Sequence, residues 1–330
     1  MASAPELIYA YLLDGRGGGE SVSWSTAEAW EPQDGPLWLH LDATQPLTEE
    51  WLRDHSGLST FVVDGLLASE TRPRCEAYGD GVLLILRGVN LNPGAKPEDM
   101  VSVRIWIDEH RVISTRLRHL MAAQDISEHL TAQKGPVSPG HIVARLAARL
   151  TDRMGPVIEG LSDQAADLEG RLIGKEDGTQ LDLRDVRHTL VDLRRVAISL
   201  RRYVAPQRDA LNQLSQLDEA WLDERVRGRL RETVDRVTRI TEELDEVRER
   251  SAVVQDELMN RLSQRIERTM YVLTVVATIM LPLGFLTGLL GINVAGIPGA
   301  ETKWAFWAVC GILAVLVVEE VCVLKRLKWL

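Results

Sequence analysis

The chain has 330 residues, 38 Lys and Arg against 48 Asp and Glu, and a formal net charge of −10. That length has room for two soluble domains and a membrane anchor, while the fine mixing of the two signs excludes the concentrated basic face that nucleic acid requires. The cysteines, Cys75, Cys310 and Cys322, form no Cys-x-x-Cys pair and give no disulfide framework. Met1 to Glu6 has neither a basic n-region nor an apolar h-region, so the N-terminal domain is expected to stay in the cytoplasm.

Residues 1–140 read as a cytoplasmic α/β domain. Leu7 to Leu13 is a short apolar run closed by the glycine-rich turn Gly15 to Gly19. Leu37 to Leu41 alternates, with Trp38 and His40 on one face. Thr48 to His55 and Thr60 to Ala68 are predicted as short helices. Val82 to Val89 follows the turn Gly79-Asp80-Gly81, and Val101 to Ile107 and Arg111 to Thr115 flank a hairpin loop at Asp108-Glu109-His110.

From residue 141 to 269 the composition turns helical. His141 to Leu172 carries apolar residues at helical spacing, Gly174 to Gly178 breaks it, Leu181 to Leu200 resumes it, and Pro206 is expected to interrupt again. Leu214 to Arg268 has no proline and one glycine, Gly228. Its apolar positions, from Leu230, Val234 and Val237 through Leu244 and Val254 to Leu258 and Ile266, step by threes and fours. This predicts a long amphipathic, coiled-coil-like stalk that needs partners.

Residues 270–330 carry the strongest signal. Tyr271 to Leu290 is 20 residues without a charge, long enough to cross about 30 Å of hydrocarbon. Trp304 to Leu324 forms a second span, joined to the first by the outer loop 291–303. Arg261, Arg265 and Arg268 precede the first span, and Lys325, Arg326 and Lys328 follow the second. The loop holds only Lys303, matched by Glu301. The positive-inside rule then puts both termini in the cytoplasm of a multi-pass protein of the cell inner membrane. Glu319 and Glu320, near the cytoplasmic end, read either as interfacial carboxylates pairing with Lys325 and Arg326 or as an ion relay.

No P-loop, Gly-x-Ser-x-Gly or His-Glu-x-x-His motif is present, so an enzyme is not expected. The histidines, at 40, 55, 110, 119, 129, 141 and 188, are scattered, and no tight metal site is visible. Two helices cannot wall a water-filled path, so a pore needs several copies of the chain in a ring within the lipid bilayer. The first span is rich in small and hydroxyl residues (Thr274, Ala277, Thr278, Gly284, Thr287, Gly288), which suit close helix packing or a narrow path. It ends in Gly291-Ile292-Asn293. Gly and Asn suit a helix C-terminus, and a ring of neutral carbonyls at the negative end of the helix dipole would hold a hydrated divalent cation at Asn293.

The pattern Y-x-L-T-x-x-A-T-x-x-x-P-L-x-F-x-x-G-x-x-G-x-N over Tyr271 to Asn293, with the tail K-x-L-K-W-L over Lys325 to Leu330, resembles the CorA metal-ion transporters. That family carries Gly-Met-Asn at the pore mouth. Here Gly291-Ile292-Asn293 followed by Val294-Ala295-Gly296-Ile297-Pro298-Gly299 is similar to the ZntB branch, with Ala295 where that branch has glycine. Glu70 to Arg74, Leu83 to Asn90 and Arg201 to Arg208 look like fragments of the same branch. The resemblance implies a homopentameric funnel whose first spans line the pore. It places Asp256, Met270, Leu273, Leu281, Gly284 and Gly288 along the path, and Gly291, Ile292 and Asn293 at the selective mouth. It further implies Zn²⁺ as cargo, coupling to protons, and no bound cofactor. Two rivals stand beside it: a CorA-type channel for Mg²⁺, Co²⁺ or Ni²⁺, and a membrane-anchored coiled-coil scaffold or sensor without flux.

Overall fold

The structure is a computed structural model and describes residues 7–173, 183–292 and 302–326. The chain forms two compact units, Met1–Gln255 and Asp256–Leu330.

The first unit is built on a seven-stranded mixed sheet of order β2-β1-β3-β7-β6-β5-β4. Its strands are β1 (Leu7–Leu13), β2 (Gly19–Ser21), β3 (Leu37–Asp42), β4 (Arg74–Tyr78), β5 (Gly81–Gly88), β6 (Val101–Asp108) and β7 (Arg111–Arg116). Only β3 and β7 pair in parallel. Three short helices, α1 (Trp24–Glu28), α2 (Pro46–Asp54) and α3 (Thr60–Leu67), lie early in the chain. After the sheet come α4 (Met121–Thr131), α5 (Pro139–Asp152), α6 (Gly155–Ile173), α7 (Leu183–Gln216), α8 (Glu224–Leu290) and α9 (Ala305–Arg326).

Both faces of the sheet are covered, which is why its central strands read as unbroken apolar runs. Val82, Leu84 and Leu86 of β5 share a core with Val103, Ile105 and residues of α4 through α8. Leu83 of the same strand points the other way, into a smaller core with Leu37, Leu39, Leu41, Leu52 and Leu66. The alternation expected at residues 37–41 is present, since Trp38 belongs to the larger core and Leu37, Leu39 and Leu41 to the smaller. The expected hairpin is closed by Asp108. Its Oδ1 accepts the backbone N–H of His110 at 3.0 Å and of Arg111 at 2.9 Å. At the neighbouring β4–β5 turn Gly79 takes φ +56°, a conformation that glycine reaches without cost. A Cβ on Gly81 would stand 2.7 Å from the Ile107 carbonyl oxygen and 2.3 Å from the Trp106 ring.

Three expectations change in the helical region. The stretch from His141 to Leu172 is two helices, because Pro156 lacks the N–H needed to continue α5 but fits the first turn of α6. Pro206 does not interrupt its helix: α7 runs 34 residues straight through it. One lost hydrogen bond and a ring clash cost about 3 kcal/mol. Leu193, Ala197, Leu200 and Val204 before the proline, and Ala210, Leu211 and Leu214 after it, are all buried in the core and outweigh that cost. The segment from Leu214 onward is also not one helix. It breaks after Gln216 and restarts at Glu224, where Asp223 Oδ1 accepts the Val226 N–H at 2.7 Å as an N-cap. The segment Gly174 to Gly178 lies outside the described residues.

The predicted stalk is α8, 67 residues long. Leu230, Val237, Leu244, Val254 and Leu258 are buried as the spacing requires, whereas Ile266 is exposed.

Candidate ion path and membrane helices

In the second unit, α8 and α9 contain stretches long and apolar enough to cross a membrane. Their burial pattern inverts that of the sheet. Met270, Val272, Leu273, Val276, Met280, Leu281, Phe285, Leu289 and Leu290 are all exposed, around the whole circumference of the helix. Apolar side chains all round a helix belong in hydrocarbon or against other apolar helices.

The structure carries Asp256, Met270, Leu273, Leu281, Gly284 and Gly288 on one continuous helix, with Gly291 and Ile292 directly after its end. At about 100° per residue, with Met270 as origin, Gly288 returns to the same azimuth. Leu281, Gly284 and Asp256 then lie within about 40° of it, and Leu273 and Gly291 within about 60°. Every described candidate for the path therefore falls on one face. Asn293 and Glu301 lie outside the described residues.

Local chemistry suits an apolar medium. Thr274, Thr278 and Thr287 each donate their hydroxyl to the carbonyl four residues back, at 2.8 Å. This satisfies the hydroxyl inside its own helix, so these threonines need no external partner. Among the described residues, nothing beyond their own turns of helix lies within 4 Å of a Cβ added at Gly284 or Gly288, leaving two flat places on the candidate face. Pro282 sits within α8 without ending it. The helix closes at Gly291, whose N–H donates to Thr287 O at 3.0 Å and Gly288 O at 3.2 Å. The last carbonyls of α8 thus point their partial negative charge at the Gly291-Ile292 end. On α9, neither Glu319 nor Glu320 pairs with Lys325 or Arg326 among the described residues, and Glu320 Oε2 is shielded without a partner.

Among the described residues no group of three His, Cys, Asp or Glu side chains converges to hold a metal. Two histidines the sequence left as lone residues are structural. His40 Nδ1 lies 2.9 Å from Ser114 Oγ, and burial pushes its pKa down to about 3. Ser114 gives its proton to Leu39 O and accepts from Trp38 Nε1, so His40 Nδ1 is the N–H donor and the ring is neutral. His141 Nδ1 lies 2.8 Å from Ser138 Oγ, at the N-cap of α5.

A family model for the CorA-like Mg²⁺ transporter protein matches residues 33–326. The chain belongs to the CorA family. Among curated CorA-type relatives, the divalent cation transporter CmaX of Pseudomonas aeruginosa is 44% identical over 327 residues, covering 98% of this chain and 97% of that protein. The zinc transport protein ZntB of Yersinia pseudotuberculosis is 36% identical over 325 residues, covering 98% and 96%. Among solved structures, full-length CmaX superposes with a TM-score of 0.85 at 43% identity, covering 99% of each chain. The CorA magnesium transporter of Methanocaldococcus jannaschii shares the fold at a TM-score of 0.78 and 18% identity, over 98% of this chain and 99% of that one. As a CorA-family member the chain is a membrane transporter of divalent cations and not an enzyme. This removes the scaffold reading.

Proposed function

We propose that the chain carries Zn²⁺ across the cell inner membrane, through a path walled by the first spans of a homopentamer and with both termini in the cytoplasm. The observation that carries the path is the single face of α8 on which Asp256, Met270, Leu273, Leu281, Gly284 and Gly288 align. In a ring of copies, that face lines the axis. The flat places at Gly284 and Gly288 widen it, and the apolar collars at Met270 and Leu281 close it by dewetting. The helix ends at Leu290, and the carbonyls of the Gly291-Ile292-Asn293 sequence that follows would hold a divalent ion through its own water shell. Zinc as cargo is supported by the identity with ZntB along nearly the whole chain.

The higher identity with CmaX supports a second reading, a transporter that accepts several divalent cations. Purified protein in liposomes loaded with a zinc-sensitive dye separates the two. Zinc uptake that persists under excess Mg²⁺ is the expected result. Uptake abolished by Mg²⁺, Co²⁺ or Ni²⁺ competition gives the broader carrier. Repeating the assay with and without a pH gradient reads coupling to protons.

A further inference from the structure

The soluble unit holds a cleft of about 590 Å³ between α5, the loop before it and the start of α8. Lys134, Arg145, Arg149, Arg225, Arg229 and Arg236 line it, against two carboxylates, Asp152 and Glu232. This is a local excess of four positive charges on a chain whose net charge is −10. The carboxylates are already engaged. Arg236 contacts Asp152 and stands 3.9 Å from Glu232, and Arg149 stands 3.9 Å from Asp152. Arg145 Nη1 donates only to a neutral group, Lys134 O, at 2.7 Å. Arg225 and Arg229 have no side-chain partner among the described residues. The crowding is felt: burial lowers the Arg145 pKa, and the charges of Arg149 and Arg229 lower it further.

We propose that this cleft binds a small phosphate-bearing polyanion of the pyrophosphate or nucleoside-polyphosphate class. Arg145 and Arg149 are four residues apart on α5, and Arg225 and Arg229 four apart on α8. Each helix thus offers two arginines on one face, their Cβ atoms about 5–6 Å apart. Such forks match the paired oxygens of phosphate, and two facing pairs match a chain of phosphates better than one compact ion. The volume fits a small organic ligand and is far larger than a halide needs. Pro136, Val137, Ala144 and Ala148 add an apolar wall beside the charges, where a nucleobase can lie.

The test uses full-length protein in detergent, with calorimetric titration of inorganic pyrophosphate and of ATP in about 0.15 M chloride. Wild type is expected to bind both. Arg225→Gln/Arg229→Gln is expected to weaken both by about tenfold or more, and Glu232→Gln to tighten both. Tighter ATP than pyrophosphate assigns the apolar wall to the base, and equal affinity assigns the site to the phosphate chain alone. Failure of wild type to bind either probe, displacement by chloride, or unchanged affinity in the double variant overturns the proposal. If the double variant does not elute as the native oligomer, Arg229→Gln and Glu232→Gln decide alone, since their opposite shifts cannot both come from loss of structure.

Discussion

Leu84 on β5 and Leu281 on α8 are the same residue in opposite circumstances, the first 0% exposed and the second 71% exposed. Leu84 is enclosed by its own chain. Its neighbours come from two strands and several helices, and the alternation of the sheet fixes which way it points. Leu281 belongs to a helix whose apolar surface the described residues leave open. A fold that finishes its core in one unit and leaves the other bare assigns the two units different solvents. The first is stabilised by burial within the chain, and the second needs apolar partners from outside it: lipid and, in the proposed assembly, further copies.

The largest expected effect attacks the membrane half at the proposed pore mouth. Asn293→Ala is expected to cut divalent-cation flux by at least about tenfold, while the oligomer and the thermal unfolding of the soluble unit stay unchanged. Liposome uptake paired with size exclusion measures both. Flux at the wild-type rate would take Asn293 out of the mechanism.

Next comes a direct exchange between the halves. Leu84→Ala empties a closed core and is expected to destabilise the soluble unit by about 2–5 kcal/mol. Leu281→Ala is expected to leave that unit's unfolding midpoint where it was and to change flux instead. Denaturation followed by circular dichroism, alongside uptake, separates the two. A shift of the soluble midpoint by Leu281→Ala would mean the division of solvents is wrong.

How far each half could be read from the sequence follows the same line. The membrane spans were plain because hydrocarbon thickness dictates length and excludes charge, so Tyr271 to Leu290 needs no tertiary context. The strands at residues 7–13, 37–41 and 82–89 were legible from their apolar runs and bounding turns. Strands β2 and β4 and helix α4 were not foreseen. β4 (Arg74–Tyr78) is a polar edge strand held by its pairing with β5, which is a long-range fact. Pro206 misled because local propensity cannot see the core on either side of it. The break between α7 and α8 did have a local signal, since Asp223 stands three residues before Val226 as a capping side chain does. The candidate path residues were named by the family resemblance, not by spacing; that they share one face of α8, and that Thr274, Thr278 and Thr287 bond to their own helix, needed the continuous helix and its coordinates.

Acid sharpens the comparison inside the soluble half. Folded His40 titrates at about 3, against an ordinary 6.5. Between those values the unfolded chain binds a proton that the folded chain refuses, so stability falls as pH drops from about 6.5 toward 3, by up to about 1.4 kcal/mol per pH unit. His40→Gln is expected to flatten that part of the profile relative to wild type. Equal slopes from thermal melts across this window would show that His40 is not the group that resists protonation.

The smallest expected effect lies at a charged contact between α7 and α8. Arg201 Nε and Nη2 donate to the two oxygens of Asp245 at 2.6 and 3.0 Å. That hydrogen-bonded guanidinium is the main reason the Asp245 pKa lies below its ordinary value, so the pair's contribution is present above the ordinary carboxylate value and is lost as pH falls from there through the lowered folded value. Both side chains are about a third exposed, and water screens much of the attraction. Asp245→Asn keeps the shape and removes the charge, and is expected to cost about 1 kcal/mol or less at neutral pH. Urea unfolding read at low and high salt tests this. A loss several times larger would mean that this contact, rather than the apolar seam of Val237, Leu244 and Val247 beneath it, holds α8 against α7.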